Sequence, residues 1–220
     1  EISEAKDIVD SARRKGIVLR LIGGLAIRNH CVITLFCERE YLDVDFVGLG
    51  KQSQKISDFF KSLGYEENRS ILLETSGDQM LFYRKGRADH VDVFVDRLRM
   101  THDLLLKDRL EIEPYSVSVS DLLLSKLLVF PMTEKDVRDI LTLVKDLTLG
   151  EADTPSVINV KYISALCSRD WGFYVDVLAS VDRCMQLASD YDLGSDEIEK
   201  IKGRLFQIKE AIEKHPKTLR

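Results

Sequence analysis

Apolar residues along this chain follow two rhythms. Short β-branched or alternating runs mark strands in the first half, and spacings of three and four mark helices along the whole length. Ile17-Val18-Leu19-Arg20-Leu21-Ile22 is a compact apolar run that predicts a buried strand. Leu42 to Val47 alternates Leu, Asp, Val, Asp, Phe, Val, and Leu81-Phe82-Tyr83 and His90 to Val95 are the next strands. Lys85-Gly86-Arg87 between the last two reads as a hairpin turn. Helices are expected over residues 3 to 15, with Gly16 after the end, and from Leu25 to about Leu35, entered directly from Gly23-Gly24. Another is expected over 52 to 63, with Ile56, Phe59, Phe60 and Leu63 on one side and Gly64 as its stop.

Ser120 reads as the N-cap of a helix to about Phe130, and Thr133-Glu134-Lys135-Asp136 opens another with an acidic first turn. Residues 151 to 158 hold Pro155 and no periodicity, which predicts a linker. Only helical signals follow. Trp171, Tyr174, Leu178, Val181, Met185 and Ala188 form one stripe, and Ile198, Ile201, Leu205, Ile208 and Ile212 a second. Joined by Asp192-Leu193-Gly194-Ser195, they predict an antiparallel helical hairpin made for core packing. The expected fold class is α+β: a mixed sheet carrying Ile17–Ile22, Leu42–Val47 and His90–Val95, with flanking helices. Residues 1–150 would form the core domain, and 151–220 a helical C-terminal subdomain, all helix from about Val157.

Composition narrows the class. A chain of 220 residues can bury a core without disulfides or structural metal. No segment approaches the roughly 20 apolar residues of a membrane span. No charged-then-apolar leader opens the sequence as given, which starts at Glu1. A net charge of −5 argues against a protein built mainly to coat nucleic acid. Residues 84 to 109 are rich in Arg and Lys but also hold five aspartates, which makes them mixed surface. Cys31, Cys37, Cys167 and Cys184 match no zinc spacing and read as free thiols of a reducing cytoplasm.

The chemistry lies in three aspartates. Asp43 and Asp45 are two apart on an expected strand, so they share a face while Leu42, Val44 and Phe46 point into a core. Two carboxylates side by side repel unless a cation lies between them, and such hard oxygen ligands suit Mg²⁺ or Mn²⁺. Asp92, flanked by Val91 and Val93, could complete a site of three acids, with His90 on its face. Asp89 and Asp96, at the ends of that run, are weaker candidates. Gly23-Gly24 follows a strand and opens a helix, a geometry that lets backbone N–H groups approach phosphate. Each feature also has a plain structural reading: a solvated strand face, an ordinary turn, an edge-strand acid.

Taken in order, Ile22-Gly23-Gly24, Asp43-Val44-Asp45 and Val91-Asp92-Val93 resemble the nucleotidyltransferase superfamily that includes DNA polymerase beta. Arg39 resembles the arginine before the acid pair in the AbiEii-type toxin branch and in antibiotic nucleotidyltransferases. Ser120-Asp121 through Lys126, then Lys135-Asp136 and Asp139, is similar to the AbiEii-type lysine helix followed by K-D-x-x-D. The match spans about residues 17 to 145; Leu25 stands where some members place a phosphate-contacting serine.

The resemblance implies a metal-dependent enzyme that moves a nucleotidyl group from a nucleoside triphosphate to an acceptor, releasing pyrophosphate. In that scheme Asp43, Asp45 and Asp92 hold Mg²⁺ or Mn²⁺, Gly23 and Gly24 cradle phosphates, and Arg39 and Lys126 neutralise phosphate charge. Arg39 in a structural ion pair and Lys126 as a solvated helix lysine are the bland readings of those two. The acceptor could be RNA or tRNA, a protein, or a small hydroxylated molecule chosen by the helical part. A neutralising antitoxin or self-association are the implied macromolecular partners. The alternative is a non-catalytic nucleotide-binding or toxin–antitoxin module that keeps the fold.

Overall fold

The structure is a computed structural model. It describes every residue except Leu42, Lys85, Arg87–Asp89 and Leu219–Arg220, and also omits the side chain of Thr34. The expected Lys85–Arg87 turn therefore falls largely outside the described residues, as do Leu42 and Asp89. The fold is α+β with a mixed sheet. Contacts divide the chain into two compact units: Glu1–Asn29, Arg39–Arg99 and Asp103–Ser118 form one, and His30–Glu38, Met100–His102 and Val119–Arg220 the other. Residue 150, where the sequence places a boundary, ends a short strand inside the second unit.

The first unit runs α1 (Ile2–Arg14), β1 (Leu19–Ile22), α2 (Gly23–Arg28), β2 (Asp43–Gly48), α3 (Ser53–Ser62), β3 (Glu66–Asn68) and α4 (Arg69–Glu74). It continues through β4 (Gln79–Tyr83), β5 (His90–Val95), β6 (Arg97–Arg99) and β7 (Asp103–Leu105). The main sheet has the order β1-β2-β5-β4-β3; β2 and β5 are parallel, and every other neighbouring pair is antiparallel. Period-two alternation sorts its residues onto two faces. Leu19, Leu21, Phe46, Val91, Val93, Met80 and Phe82 form an apolar face, with Glu67 of β3 at its edge beside Phe82. Helix α3 covers it: Phe60 stacks on Phe82 at 4.6 Å and meets Phe46 at 6.1 Å. Ile56 lies where only a glycine, Gly48, leaves room for it on β2. Burying one such aromatic side chain contributes roughly 1.5–3 kcal/mol.

The second unit contains α5 (Val119–Leu127), α6 (Glu134–Asp146), β8 (Thr148–Gly150), β9 (Val157–Asn159), α7 (Val160–Cys167), α8 (Trp171–Leu187) and α9 (Ser195–Lys214). The expected acidic helix start is a full capping box between Thr133 and Asp136. Five expectations change in the structure. The helix from Leu25 ends at Arg28, and a 3₁₀ turn occupies Thr34–Cys37. β-Branched Val32, Ile33 and Thr34 disfavour helix, Cys31 is joined to Cys37, and the Val32 N–H is held by Asp146 at 2.8 Å. The tail is not all helix from Val157, because β9 pairs in parallel with β8 across the expected linker. Ser120 does not cap: α5 starts at Val119, and the Ser120 hydroxyl accepts the Asn159 N–H at 2.8 Å.

The buried stripe of α8 is the fourth change. It is Phe173, Val177, Val181, Cys184 with Ala188 beyond, whereas Trp171 is 61% exposed and stacks on Tyr174 at the surface. Apolar residues on both faces of α8 made the periodicity ambiguous. On α9 the expected Ile201, Leu205, Ile208 and Ile212 are fully buried. The four-free-thiol reading also gives way, since Cys31 and Cys37 form a disulfide. Disulfides belong mostly to oxidising compartments, so cysteine usage no longer argues for the cytoplasm. Cys167 and Cys184 remain free, and burial pushes both thiols up to about 12. No helix among the described residues is long and apolar enough to cross a membrane.

Asp96, just past β5, has φ +62° and works as a clasp. Its carboxylate accepts the Gly50 N–H at 2.9 Å, its N–H donates to Gly48, and its carbonyl accepts from Leu106 and Lys107. Asp96→Ala should therefore destabilise the protein by about 1–3 kcal/mol, the loss expected when a half-buried donor loses a charged acceptor. A thermal melt or urea titration checks this; an unchanged Tm would show that the clasp contributes nothing.

Candidate active site

The opposite face of the sheet carries the acids. Parallel pairing of β2 with β5 is in register, so Asp43 stands beside His90 and Asp45 beside Asp92. Strand neighbours lie about 4.8 Å apart, close enough for the two carboxylates to feel each other strongly. Ile22 of β1 flanks Asp45 on one side, and Leu81 of β4 flanks Asp92 on the other. The acid pair thus sits in a strip bordered by apolar side chains. Asp92 is only 8% exposed, while Asp43, at the strand's start, is open to solvent.

Donors compensate these charges. His90 links two of the acids, with Nδ1 3.0 Å from Asp43 Oδ1 and Nε2 3.2 Å from Asp92 Oδ2. Donation to both at once requires the doubly protonated ring. The second Asp92 oxygen accepts from the side-chain amide of Gln79 at 2.6 Å. Gln79 was not singled out from the sequence. Its only signal there is a polar residue opening a strand on the same parity as Leu81, which becomes informative once β4 is known to pair with β5.

The glycine pair belongs to the same place. Gly23 follows Ile22, the partner of Asp45, with φ +74°, a conformation glycine adopts without strain. A Cβ there would overlap the Asp45 carboxylate, and one at Gly24 would overlap the Arg39 guanidinium. Arg39 lies over the Tyr41 ring, 4.9 Å from its centroid. Asp43, Asp45, Asp92, Gly23, Gly24 and Arg39 are therefore all in the first unit, with the glycines directly against Asp45 and Arg39. Helix α2 has six residues, so its dipole is small, and the anion-attracting groups here are the glycine backbone and Arg39.

Lys126 lies in the second unit and is not a solvated helix lysine. Its ammonium is 3.0 Å from Asp136 and 2.9 Å from Asp139, and all three side chains are largely buried. Burial alone would lower the Lys126 pKa, but Asp139 and Asp136 outweigh it and hold it above the ordinary lysine value. Asp136, despite burial, is held below its usual range by the Thr133 hydroxyl and Lys126. Any phosphate role for Lys126 has to share its charge with these two carboxylates. A concavity of about 880 Å³ in this unit is lined by Leu35, Phe36, Val137, Arg138, Leu187 and Tyr191 among others. Arg138 stacks there between the Phe36 and Tyr191 rings, about 5 Å from each.

Among the described residues, no group of three or more His, Cys, Asp or Glu side chains is gathered closely enough to hold a metal ion as it stands. The donor set still fits a hard divalent cation in kind: three carboxylates share one face, and two of them are direct neighbours across parallel strands. A cation on this face would compete with His90 for Asp43 and Asp92.

No family model matches the chain, and no curated protein is similar to it in sequence. Among solved structures, the solution structure of the antibiotic-resistance factor ANT(2'')-Ia is similar over 96% of this chain and 94% of that one. The identity is 11% and the TM-score 0.42. At that level the reading of the site stands on its own residues.

Two outcomes follow from this geometry. Gly23→Ala forces an L-residue into the left-handed region and a methyl onto Asp45, so it should lose at least about 1–2 kcal/mol of stability; denaturant titration measures it. Lys126→Met leaves two buried acids without their cation and should cost about 3–5 kcal/mol. The folded Asp136 value lies below 3.8, so its contribution is present above that pH and fades as pH falls through the folded value. The folded Lys126 value lies above 10.5, so its contribution is present below 10.5 and fades as pH rises through the folded value. In the variant the two acids lack their cation and take up protons more readily, so the stability gap between wild type and variant should narrow as pH falls, and it should narrow again as pH rises through the folded Lys126 value. A gap that stays constant under acid titration would contradict this assignment.

Proposed function

We propose that this chain is a metal-dependent nucleotidyltransferase. It moves an NMP group from a nucleoside triphosphate to an acceptor, with pyrophosphate as the other product. The observation that carries the reading is the register that sets Asp45 directly beside Asp92, with the Gly23 backbone against the Asp45 carboxylate. The order of glycine pair, acid pair and third acid supports it.

In this reading Asp43, Asp45 and Asp92 hold Mg²⁺ or Mn²⁺, which when bound neutralises triphosphate charge and acidifies the attacking hydroxyl. The protein's own groups do the rest. Gly23 and Gly24 present backbone N–H groups to the phosphate chain, and their missing side chains leave the room that the Asp45 carboxylate and the Arg39 guanidinium occupy. Arg39, seated against Gly24, offers its guanidinium to phosphate oxygens, whereas the Lys126 charge is committed to Asp136 and Asp139. An acceptor oxygen attacks the α-phosphorus, its bond to phosphorus forms, and the bond to the bridging oxygen of the leaving pyrophosphate breaks. The acceptor is RNA, protein or a small hydroxylated molecule; incubation with each α-labelled NTP, total RNA and the chain itself identifies which becomes labelled. Nucleotide binding without pyrophosphate release would instead mark a non-catalytic module.

Asp45→Ala should lower Mg²⁺-dependent pyrophosphate release by about 10³-fold or more, since a lost ligand removes several kcal/mol of transition-state stabilisation. Asp43→Asn should act in the same direction. Stability should hold or rise slightly, because removing one acid relieves repulsion. Asp58, exposed on α3, is the control position whose substitution leaves activity unchanged. Retained activity in Asp45→Ala removes this site from consideration; parallel loss of Tm and activity assigns Asp45 a structural role.

A further inference from the structure

We infer that Gln79 is a positioning residue that fixes the Asp92 carboxylate for cation binding on the acid face, an inference that rests on the nucleotidyl-transfer reading. Gln79 opens β4, and its register partner on β5 is Phe94, so Asp92 is its diagonal neighbour on the same face. Diagonal neighbours lie about 7–8 Å apart between backbones, within reach of a side chain as long as glutamine. Its Nε2 donates to Asp92 Oδ1 at 2.6 Å. An ionised carboxylate only accepts, so the amide nitrogen rather than its oxygen must face it.

The backbone of Gln79 is itself held. Its N–H donates to the Thr75 hydroxyl at 3.2 Å, and that hydroxyl lies 2.8 Å from the Ile71 carbonyl in the last turn of α4. The Asp92 carboxylate is therefore gripped at one oxygen by a neutral donor anchored to two elements, and at the other by His90, which also reaches Asp43. The two donors differ in what a cation does to them. A cation competes with His90 for the two carboxylates that the ring bridges. The Gln79 amide brings no net charge, so it can stay in place, keep the carboxylate plane fixed and leave its charge whole. A lysine or arginine at 79 would have neutralised Asp92 instead. Polar partners of this kind typically change metal affinity by about 10–100-fold when removed.

The test is Mn²⁺ titration followed by electron paramagnetic resonance on the full chain, with a thermal melt of each variant. Asp45→Ala identifies the signal that belongs to this site. Gln79→Met keeps the length and removes the donor; the expected result is a Kd for Mn²⁺ weaker by about 10-fold or more, with a Tm lowered by the lost hydrogen bond. Should Gln79→Met melt too low to assay, Gln79→Asn, which retracts the amide, gives the same readout. Equal Mn²⁺ affinity in wild type and variant, whatever the Tm, overturns the positioning role while leaving the nucleotidyl-transfer reading intact. Absence of site-specific Mn²⁺ binding by the wild type overturns both.

Discussion

The structure of the first unit turns on one pairing, the parallel in-register association of β2 with β5. Parallel strands in register place residues of equal parity side by side, so the alternation of Asp43-Val44-Asp45-Phe46 meets that of His90-Val91-Asp92-Val93 without slippage. Both apolar sets then fall on one face and both polar sets on the other. A slip of one residue would bury Asp45 against Phe60 and expose Phe46. The hydrophobic face therefore holds the acids together: mutual repulsion of two neighbouring carboxylates is modest against the burial of Phe46, Phe60, Phe82 and their aliphatic neighbours.

The second unit solves its own polar problem differently. Asp136 serves twice, accepting the Thr133 donors that cap α6 and pairing with Lys126 from α5. Asp139, one turn on, completes the pair. One buried lysine thus locks two helices in a single register, and its charge is held by the two acids that lie i,i+3 on one helix. Arg204 does related work at the far end of α6, donating to the Val144 and Lys145 carbonyls that the helix leaves over. Polar contacts in this unit fix helix placement, whereas in the first unit they orient acids along one face of the sheet.

Strands were readable because period two is a strong and local signal. β2 and β5 appear where the alternation lies, and the face shared by Asp43 and Asp45 follows from spacing alone. Apolar stripes located α9 correctly, since its large apolar side chains, Phe206 apart, share one face. On α8 both faces carry large side chains, so spacing could not say that Phe173 and Val177 go in while Trp171 stays out. β8 and β9 were illegible because three-residue strands have no periodicity to detect. The early end of α2 depends on Cys31 meeting Cys37 and on Asp146 reaching Val32, contacts that spacing along the chain does not encode.

By itself the sequence determined which residues could carry chemistry: the glycine pair, the acid pair and Asp92, because residue type and parity are local properties. Tertiary structure decided what each one touches. It set Asp45 beside Asp92, placed His90 between Asp92 and Asp43, brought Gln79 across from β4, and committed Lys126 to Asp136 and Asp139. The physical reason is sequence separation. Parity fixes the side of a strand a residue faces, but the neighbour across the ladder comes from a segment tens of residues away, and only the register of the folded sheet selects it.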